Sequence, residues 1–384
     1  MLRKFKDMDK VLFFTTLVLI IFGTLNIVTA SSREAVVNAD ANLFYYFFKH
    51  MIILCISLVV FLIILNVPTK KYKKWIPILY IVVIGLNFYL ILKGVATRGA
   101  NNWIDLKFLK VQPSELAKPT LILTMSLLFE TYFKKLSNAK EKHDTIIWKI
   151  IGFALIFPIL VFLQKDLGTA IILFGIFLVL FIFSPISKPE KIKAGIISIG
   201  VIAILLIVRL AISGYILSGA QESRLKNFFD PCSKYEDTGY QVCNAFIAIN
   251  NGGLTGVGIG KSTQKYSYIP EPHTDMVFAI IAEENGVITC SFIFIGYVII
   301  LYRILKLSMR TKSIKNKYIC VGVATYIFMH IFINLGGLFG VIPLTGVPLP
   351  FLSYGGSFTL SLIATLAIIQ RIHIDMRNEK IKVK

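Results

Sequence analysis

The sequence is poor in charged residues, in cysteine and in histidine. Only 16% of its 384 residues are charged, whereas 56% are hydrophobic. Soluble domains contain about 45–50% apolar residues, so this composition excludes an ordinary soluble domain and indicates a lipid environment. The five cysteines and five histidines form no cluster with the spacing of a metal site. There is also no internal repeat and no low-complexity tract.

The sequence does contain long apolar runs, each of roughly the 17–25 residues that a helix needs to cross a bilayer. We therefore predict an all-α fold, a polytopic membrane protein with about ten transmembrane helices in a single domain over residues 1–384. The first run is too long for a typical signal-peptide core, and nine more follow it. The predicted spans are 11–29, 50–67, 74–92, 114–133, 146–163, 167–184, 192–213, 276–302, 318–340 and 352–371.

The net charge of +20 is distributed as a topology signal. With the N-terminus in the cytoplasm, most Lys and Arg residues fall in short cytoplasmic segments, including a basic tail at residues 372–384. We therefore expect both termini to be cytoplasmic, where the positive charge suits an anionic inner leaflet of membrane lipid. This distribution argues against a nucleic-acid partner. A long extracytoplasmic loop, about residues 214–275, separates predicted helices 7 and 8.

Two cysteines, Cys232 and Cys243, lie in that long outer loop. If the outer face is oxidising they form a disulfide, and otherwise they stay as two thiols; the sequence leaves both open. The other three, Cys55, Cys290 and Cys320, lie in predicted spans and are expected to pack as small apolar residues.

Three carboxylates mark the start of the eighth predicted span, in the stretch YIPEPHTDMVFAIIAEENG. Asp275 lies where a polar loop meets the apolar helix. Thr274 is the predicted N-cap, so Asp275 is either a capping acid of the first turn or a functional one. Glu283 and Glu284 lie deeper, where ionisable groups are costly and are functional by default. The alternative for these two is a structural pair with a buried lysine.

Two further polar clusters fall at the ends of predicted spans. In QPSELAKP, Glu115 and Lys118 are three residues apart and share one helix face. They either form a local salt bridge or bind a phosphate, with Lys118 in contact and Glu115 orienting it. Asp166, in QKDLGT, lies at a break between two spans, where Lys165 is a local partner and a polar helix connection is an equal explanation.

Glycine and proline mark two irregular segments. The stretch NNGGLTGVGIGK has five glycines from Gly252 to Gly260, which allow its backbone to approach a ligand or another helix closely. It lacks the spacing of a phosphate-binding loop, so we predict no nucleotide site. Pro343, Pro348 and Pro350 forbid an uninterrupted helix, so the chain must dip and return there beside protein or a cavity.

The polar residues gather towards the outer half of the predicted bundle. A cavity with acids, lysine and arginine, bounded by lipid, suits an amphipathic anionic substrate such as a lipid that carries a phosphate and sugars. The residues alone leave a transporter and a transferase open.

Several motifs of the sequence together resemble the SEDS family (shape, elongation, division and sporulation), whose members include FtsW and RodA. The motifs extend from residue 98 to residue 357, so the resemblance covers nearly the whole chain. The residues of these motifs favour the FtsW-like division branch of the family. They are GANNW with QPSELAK, QKDLGT, FFDP, GYQ with GGLTGVGIG, PEPHTDMVFAIIAEE and GVPLPFLSYGGS.

The resemblance implies a peptidoglycan glycosyltransferase in the cytoplasmic membrane of a bacterium. Such an enzyme polymerises lipid II on the outer face and releases undecaprenyl pyrophosphate, for cell division or cell-shape maintenance. The implied partners are lipid II, a class B penicillin-binding protein that crosslinks the product, and other division or elongation proteins. A lipid II flippase and a non-catalytic division scaffold are the alternatives.

The resemblance also assigns roles by motif. Asp275 is the expected catalytic residue, either as general base or as ligand of a divalent cation, Mg²⁺ or Mn²⁺. Lys118, Arg98 and Arg224 are expected to steady the departing pyrophosphate. The expected substrate-binding residues are Lys118, Glu115, Asp166, Arg98 and Arg224.

Three residues depart from the family's pattern. Lys165 stands where proline is usual, and Met276 follows Asp275 where an aromatic residue is usual. Asn102 stands where a basic residue is common, which weakens the equivalence of Arg98. None of the three removes a charged residue that we assign to catalysis.

Overall fold

The computed structural model describes residues 2–38, 42–93, 95–97, 100–105, 110–136, 144–184, 186–213, 219–232, 237–267, 269 and 272–382. The chain is mainly α-helical, and each of the ten predicted spans falls on a helix. Six of the described helices are long and apolar enough to cross a bilayer, and two more are shorter apolar helices. The prediction of a polytopic helical membrane protein is therefore confirmed.

Fifteen α-helices are numbered in chain order. Five of them, α1, α3 and α10 to α12, lie outside the predicted spans, and the last three give the long loop helical structure. The helices are α1 (Leu2–Lys6), α2 (Lys10–Ala30), α3 (Ser32–Asn38), α4 (Tyr45–Asn66), α5 (Tyr72–Lys93), α6 (Pro113–Leu136), α7 (Asp144–Leu163), α8 (Leu167–Ile182), α9 (Lys188–Ser213), α10 (Gly219–Phe229), α11 (Asp237–Gly252), α12 (Gln264–Ser267), α13 (Val277–Arg310), α14 (Ile314–Leu338) and α15 (Gly356–Lys382). A 3₁₀ turn covers Thr69–Lys71.

A small antiparallel sheet lies between α5 and α6, which the sequence analysis did not predict. Its strands are β1 (Val95–Thr97), β2 (Ala100–Asp105) and β3 (Lys110–Val111), with β2 in the centre. In the register, Ala96 lies opposite Asn101, and Ile104 lies opposite Val111. The strands are too short to change the all-α class.

The chain forms two compact units. In unit 1, α4 packs against α2 and α15. In unit 2, α6 packs against α5, α7 and α8. Unit 1 consists of Met1–Thr69, Ser223–Leu307 and Ile327–Lys384, and unit 2 of Lys70–Glu222 and Ser308–Tyr326.

A buried polar network ties three helices of unit 1 together at the start of α2. The Asp9 carboxylate caps α2 by accepting from the Leu12 N–H at 3.1 Å. Arg303 of α13 pairs with the same carboxylate at 2.7 Å. The Gln370 amide of α15 bonds the Asp9 backbone through both its oxygen and its nitrogen. The network fixes the relative height of α2, α13 and α15.

Helix α13 is broken at Gly286, whose φ and ψ are 74° and 176°. Such a break deprives two carbonyls before it and two N–H groups after it of their bonds within the helix. The glycine-rich loop, residues 252–261, supplies all four partners. The bonds run from Val257 N to Glu283 O (2.9 Å), Gly258 N to Glu284 O (3.0 Å), Val287 N to Gly253 O (3.0 Å) and Ile288 N to Leu254 O (3.2 Å).

This exchange of backbone bonds requires glycine at three positions. A Cβ at Gly252 would lie 2.0 Å from the Ala282 carbonyl oxygen, and one at Gly256 would lie 2.2 Å from that of Glu284. A Cβ at Gly286 would lie 2.4 Å from backbone atoms of the loop. The glycines therefore serve close backbone packing, which was one of the two uses that the sequence left open.

We predict that Gly256→Ala lowers the melting temperature far more than Gly260→Ala. The two residues have φ values of 82° and 79°, so each replacement carries the same strain of about 1–2 kcal/mol. Only at Gly256 does the new Cβ also meet backbone; at Gly260 nothing of the structure lies within 4 Å of it. Thermal unfolding of the purified chain in detergent measures the difference, and equal losses for the two variants would contradict the backbone exchange.

Candidate active site

Asp275 lies in unit 1, two residues before the first residue of α13. The helix begins at Val277, so the prediction that Thr274 caps it with Asp275 in the first turn is wrong. Thr274 instead donates its hydroxyl to the Asp275 carboxylate at 3.1 Å. The side chain is buried, with 6% exposure. In the part of the chain that the structure describes, Asp275 forms no ion pair.

Asn334 of α14 holds the backbone around Asp275. Its amide nitrogen donates to the Asp275 carbonyl at 2.7 Å and to the Val347 carbonyl at 2.8 Å. Between these two attachments lies Gly346, with φ of 75°, where an added Cβ would be 3.5 Å from the carboxylate oxygen Oδ2 of Asp275. Asn334 thus ties Asp275 to residues 339–355, which we call the proline loop.

The proline loop is not helical, as Pro343, Pro348 and Pro350 predicted. Side chains of the surrounding helices donate to its carbonyls or contact them, which satisfies an irregular backbone without water. The contacts are Arg224 Nη1 to Thr345 O (3.1 Å), Asn334 Nδ2 to Val347 O (2.8 Å), His330 Nδ1 with Pro348 O (3.1 Å) and Tyr297 Oη to Pro350 O (2.6 Å).

Arg224, on α10, therefore reaches the same loop that borders Asp275. Arg224 also lines a small cavity of about 20 Å³, room for about one water molecule, whose other lining side chains include Phe228, Val242 and Leu344. A guanidinium at the loop beside Asp275 suits an anionic group such as a phosphate. Both features belong to unit 1.

A second set of contacts holds the segment just before Asp275. The His273 ring lies 3.4 Å from the Glu34 carboxylate of α3 and packs against the rings of Tyr46 and Tyr354. The Tyr354 N–H also donates to the His273 carbonyl at 2.9 Å. The sequence predicts neither these contacts nor the role of Asn334, for which a polar side chain inside an apolar run was the only signal.

Glu283 and Glu284 are held structurally, which was the alternative to a functional role. Glu284 pairs with Lys265 at 2.7 Å, and both side chains are almost fully buried. Glu283 accepts hydrogen bonds from the Ser262 hydroxyl, from the Thr263 N–H and hydroxyl, and from Asn251. The two acids therefore fasten the segment that follows the glycine-rich loop to α13.

Three of the predicted substrate-binding residues lie in unit 2. Glu115 and Lys118 form the predicted salt bridge at 2.7 Å, and both are buried. The Lys118 ammonium also lies 5.7 Å from the ring centre of Tyr326. This placement agrees with the first alternative, a local salt bridge, and the phosphate-binding role stays a prediction.

Asp166 is the N-cap of α8 and accepts from the Thr169 N–H at 3.1 Å. Its second oxygen accepts from Asn102 at 2.8 Å and from Gln112 at 3.0 Å, which links β2 and the start of α6 to α8. Lys165 before it has φ of 66°. Proline cannot adopt this angle, so the departure from the family's proline changes the local backbone.

Two other predictions concern Arg98 and the outer cysteines. Arg98 lies outside the described residues. Cys232 and Cys243 form a disulfide, which decides between the two alternatives that the sequence left open. The bridge links the segment after α10 to α11.

The fold defines a polytopic helical membrane protein, and each of its two units has buried acids and cations near the starts of its helices. The chain belongs to the FtsW/RodA/SpoVE family, described as cell cycle protein, whose model matches residues 9–378. The resemblance drawn from the motifs is thereby confirmed.

Curated relatives are similar over nearly their whole length. The probable peptidoglycan glycosyltransferase FtsW of Wigglesworthia glossinidia brevipalpis is 30% identical, covering 97% of this chain and 95% of that protein. The protein of the same name in Bacillus subtilis is 29% identical, covering 100% and 95%. Stage V sporulation protein E of Bacillus subtilis is 27% identical, covering 93% and 94%.

Solved structures share the fold. A chain from a study of the coordination of polymerization and crosslinking by a peptidoglycan synthase complex matches with a TM-score of 0.72 and 22% identity, covering 96% of this chain and 98% of that chain. The rod shape determining protein RodA of Thermus thermophilus matches with a TM-score of 0.67 and 20% identity, covering 96% and 97%.

We predict that the buried Lys265–Glu284 pair behaves as a unit in stability measurements. Lys265→Met or Glu284→Gln alone leaves a buried polar group without its partner, which costs about 3–5 kcal/mol. The double variant removes both charges, so its loss in melting temperature should be smaller than the sum of the two single losses. Lys73→Met is the control, because Lys73 is 46% exposed in its pair with Glu130 and should change little. Additive losses in the double variant would contradict a coupled pair.

Proposed function

We propose that this protein is a peptidoglycan glycosyltransferase that polymerises lipid II into glycan strands and releases undecaprenyl pyrophosphate. Membership of the family and the names of its curated relatives support this activity. The observation that carries the assignment to a site is Asp275. It is a buried carboxylate without an ion pair in the described structure, beside a loop whose carbonyls are held by side chains.

In the proposed reaction, an acceptor sugar hydroxyl attacks the anomeric carbon of the donor sugar. The new bond joins the hydroxyl oxygen to that carbon, and the bond from the carbon to the pyrophosphate breaks, with its electron pair leaving on the pyrophosphate. The hydroxyl proton passes to the Asp275 carboxylate, which acts as general base. Asn334 keeps this acid in place through its backbone carbonyl, so the base is preorganised before substrate binds.

Alternatively, Asp275 is a ligand of a divalent cation, Mg²⁺ or Mn²⁺. The described residues contain no group of three His, Cys, Asp or Glu side chains that could hold a metal ion. An all-protein cage therefore does not fit. One carboxylate together with substrate phosphates does fit, because Mg²⁺ is commonly held in this way. When bound, the ion would neutralise charge on the departing pyrophosphate.

The remaining predicted roles are part of the proposal. Arg224 steadies phosphate charge from its position at the proline loop. Lys118 binds phosphate, and Glu115 and Asp166 hold it and its helix in position. Arg98 keeps the same proposed role.

We also propose the setting of the reaction. The protein is a multi-pass membrane protein, and we place it in the cytoplasmic membrane of a bacterium with both termini in the cytoplasm. Its partners are a class B penicillin-binding protein and other division or elongation proteins. The likeness to a chain of a peptidoglycan synthase complex supports such a partner.

We predict that Asp275→Ala and Asp275→Asn each lower glycan synthesis by about 10²–10⁴-fold, the contribution of a positioned general base. The measurement is polymer formed from purified lipid II by the chain co-purified with its penicillin-binding partner, with transpeptidation inhibited. Glu222→Gln, at an exposed acid on α10 outside the family motifs, is the matched control and should retain activity. Melting temperature and retention of the partner establish that each variant is folded.

The other outcomes distinguish the alternative functions. Full activity of both Asp275 variants would remove Asp275 from the mechanism. No polymer from the intact wild-type complex would favour a lipid II flippase or a division scaffold, and transport of labelled lipid II across vesicles would separate those two.

The cation proposal makes its own prediction. Chelation of divalent cations should stop polymerisation by the wild-type complex, and Mg²⁺ or Mn²⁺ should restore it, because the pyrophosphate charge needs neutralisation. The readout is polymer yield against free cation concentration, with Glu222→Gln as the control variant. Unchanged yield in chelator would contradict a cation and leave Asp275 as base alone.

A further inference from the structure

The glycine-rich loop presents large apolar side chains outwards. Leu254 is 71% exposed, Ile259 is 75% exposed and Val257 is 40% exposed. Beside them, Val287 and Ile288 of α13 are 45% and 50% exposed. Five such residues grouped together indicate a surface that is covered by something apolar when the protein is in its working state.

The depth of this surface follows from two helices of unit 1. α2 and α13 are joined at one end by Asp9 and Arg303, and near the other by Asn26 and Asn285, whose side chains are 3.4 Å apart. At 1.5 Å a residue, the distance between the two joints is about 26 Å along α2 and about 27 Å along α13. The two independent counts agree.

A bilayer's hydrocarbon core is about 30 Å thick. If the buried ion pair of Asp9 and Arg303 marks one boundary, Asn285 lies within the hydrocarbon, a few ångströms from the opposite boundary. The four backbone bonds across Gly286 fasten the glycine-rich loop to this same height. The loop therefore lies at the depth of the lipid tails, although in the sequence it connects α11 to α12.

We propose that the glycine-rich loop dips into the leaflet on the Asp275 side, with Leu254 and Ile259 among the acyl chains of bulk lipid. Lys261, exposed at the end of the loop, extends its ammonium to the lipid phosphates, as lysines near membrane boundaries do. The four backbone groups that the break frees in α13 are paired with the loop, so the break itself leaves no unsatisfied group at this depth. The inference rests on the depth count and not on the proposed glycosyltransferase activity.

The occupant of this surface is lipid and not a second protein. The exposed side chains are apolar and adjoin the exposed apolar residues Val287 and Ile288 of α13, and the loop offers no polar backbone to a partner at the four bonded positions. A protein partner would instead be detected by the test below as loss of access from both phases.

The test measures collision of a spin label with two reagents, oxygen, which concentrates in hydrocarbon, and a neutral nickel chelate, which stays in water. Leu254→Cys and Ile259→Cys are labelled separately in the full-length chain, with Cys55, Cys290 and Cys320 replaced by alanine. The protein is reconstituted in vesicles of phosphatidylethanolamine and phosphatidylglycerol. Glu222→Cys, exposed on α10, is the aqueous control, and Phe292→Cys, 68% exposed and nearer the middle of the span on α13, is the hydrocarbon control.

The proposal expects both loop positions to collide several-fold more often with oxygen relative to the nickel chelate than Glu222→Cys does, and to approach the ratio of Phe292→Cys. Both loop side chains point outwards, so labelling should leave the melting temperature unchanged, and the second position guards against a fault at the first. Ratios equal to those of Glu222→Cys would put the loop in water and overturn the proposal. Low collision with both reagents would show that protein covers the loop, which would also overturn it.

Discussion

The structure depends on one constraint: a backbone N–H or C=O inside a bilayer has no water to bond and must find its partner in the protein. α13 breaks at Gly286, within a helix that is apolar enough to span a membrane. The glycine-rich loop supplies hydrogen-bond partners for the four backbone groups that the break leaves without one inside the helix. The position of this loop in turn brings Lys265 to Glu284.

The proline loop meets the same constraint by different means. Its backbone bonds to side chains that arrive from several helices, so each carbonyl position is fixed by packing elsewhere in unit 1. Asn334 joins this loop to Asp275 in a single side chain. A carboxylate attached to such a support loses little freedom when substrate binds, and in the proposed role of general base this preorganisation would contribute to catalysis.

The three acids around the start of α13 separate into two roles by their partners. Glu284 has a buried cation and Glu283 has a set of hydroxyl and N–H donors, so their charges are compensated within the protein. Asp275 is as buried as many core residues but has only the Thr274 hydroxyl on its carboxylate in the described part of the chain. Its charge is thus the one that remains for a proton, a cation or a substrate.

The sequence by itself determined the ten helices, because bilayer thickness fixes the length of an apolar run and each run is local. It also determined the Glu115–Lys118 pair, since both residues lie on one helix turn, and the irregular backbone around Pro343, Pro348 and Pro350. The start of α13 was misplaced by the Thr274 cap, and the three short strands were missed. Tertiary structure alone decided the features that depend on contacts between separate segments, because a local sequence pattern does not predict such contacts. These are the break at Gly286, the partner of Glu284 nineteen residues away, the hold of Asn334 on Asp275, and the Cys232–Cys243 bridge.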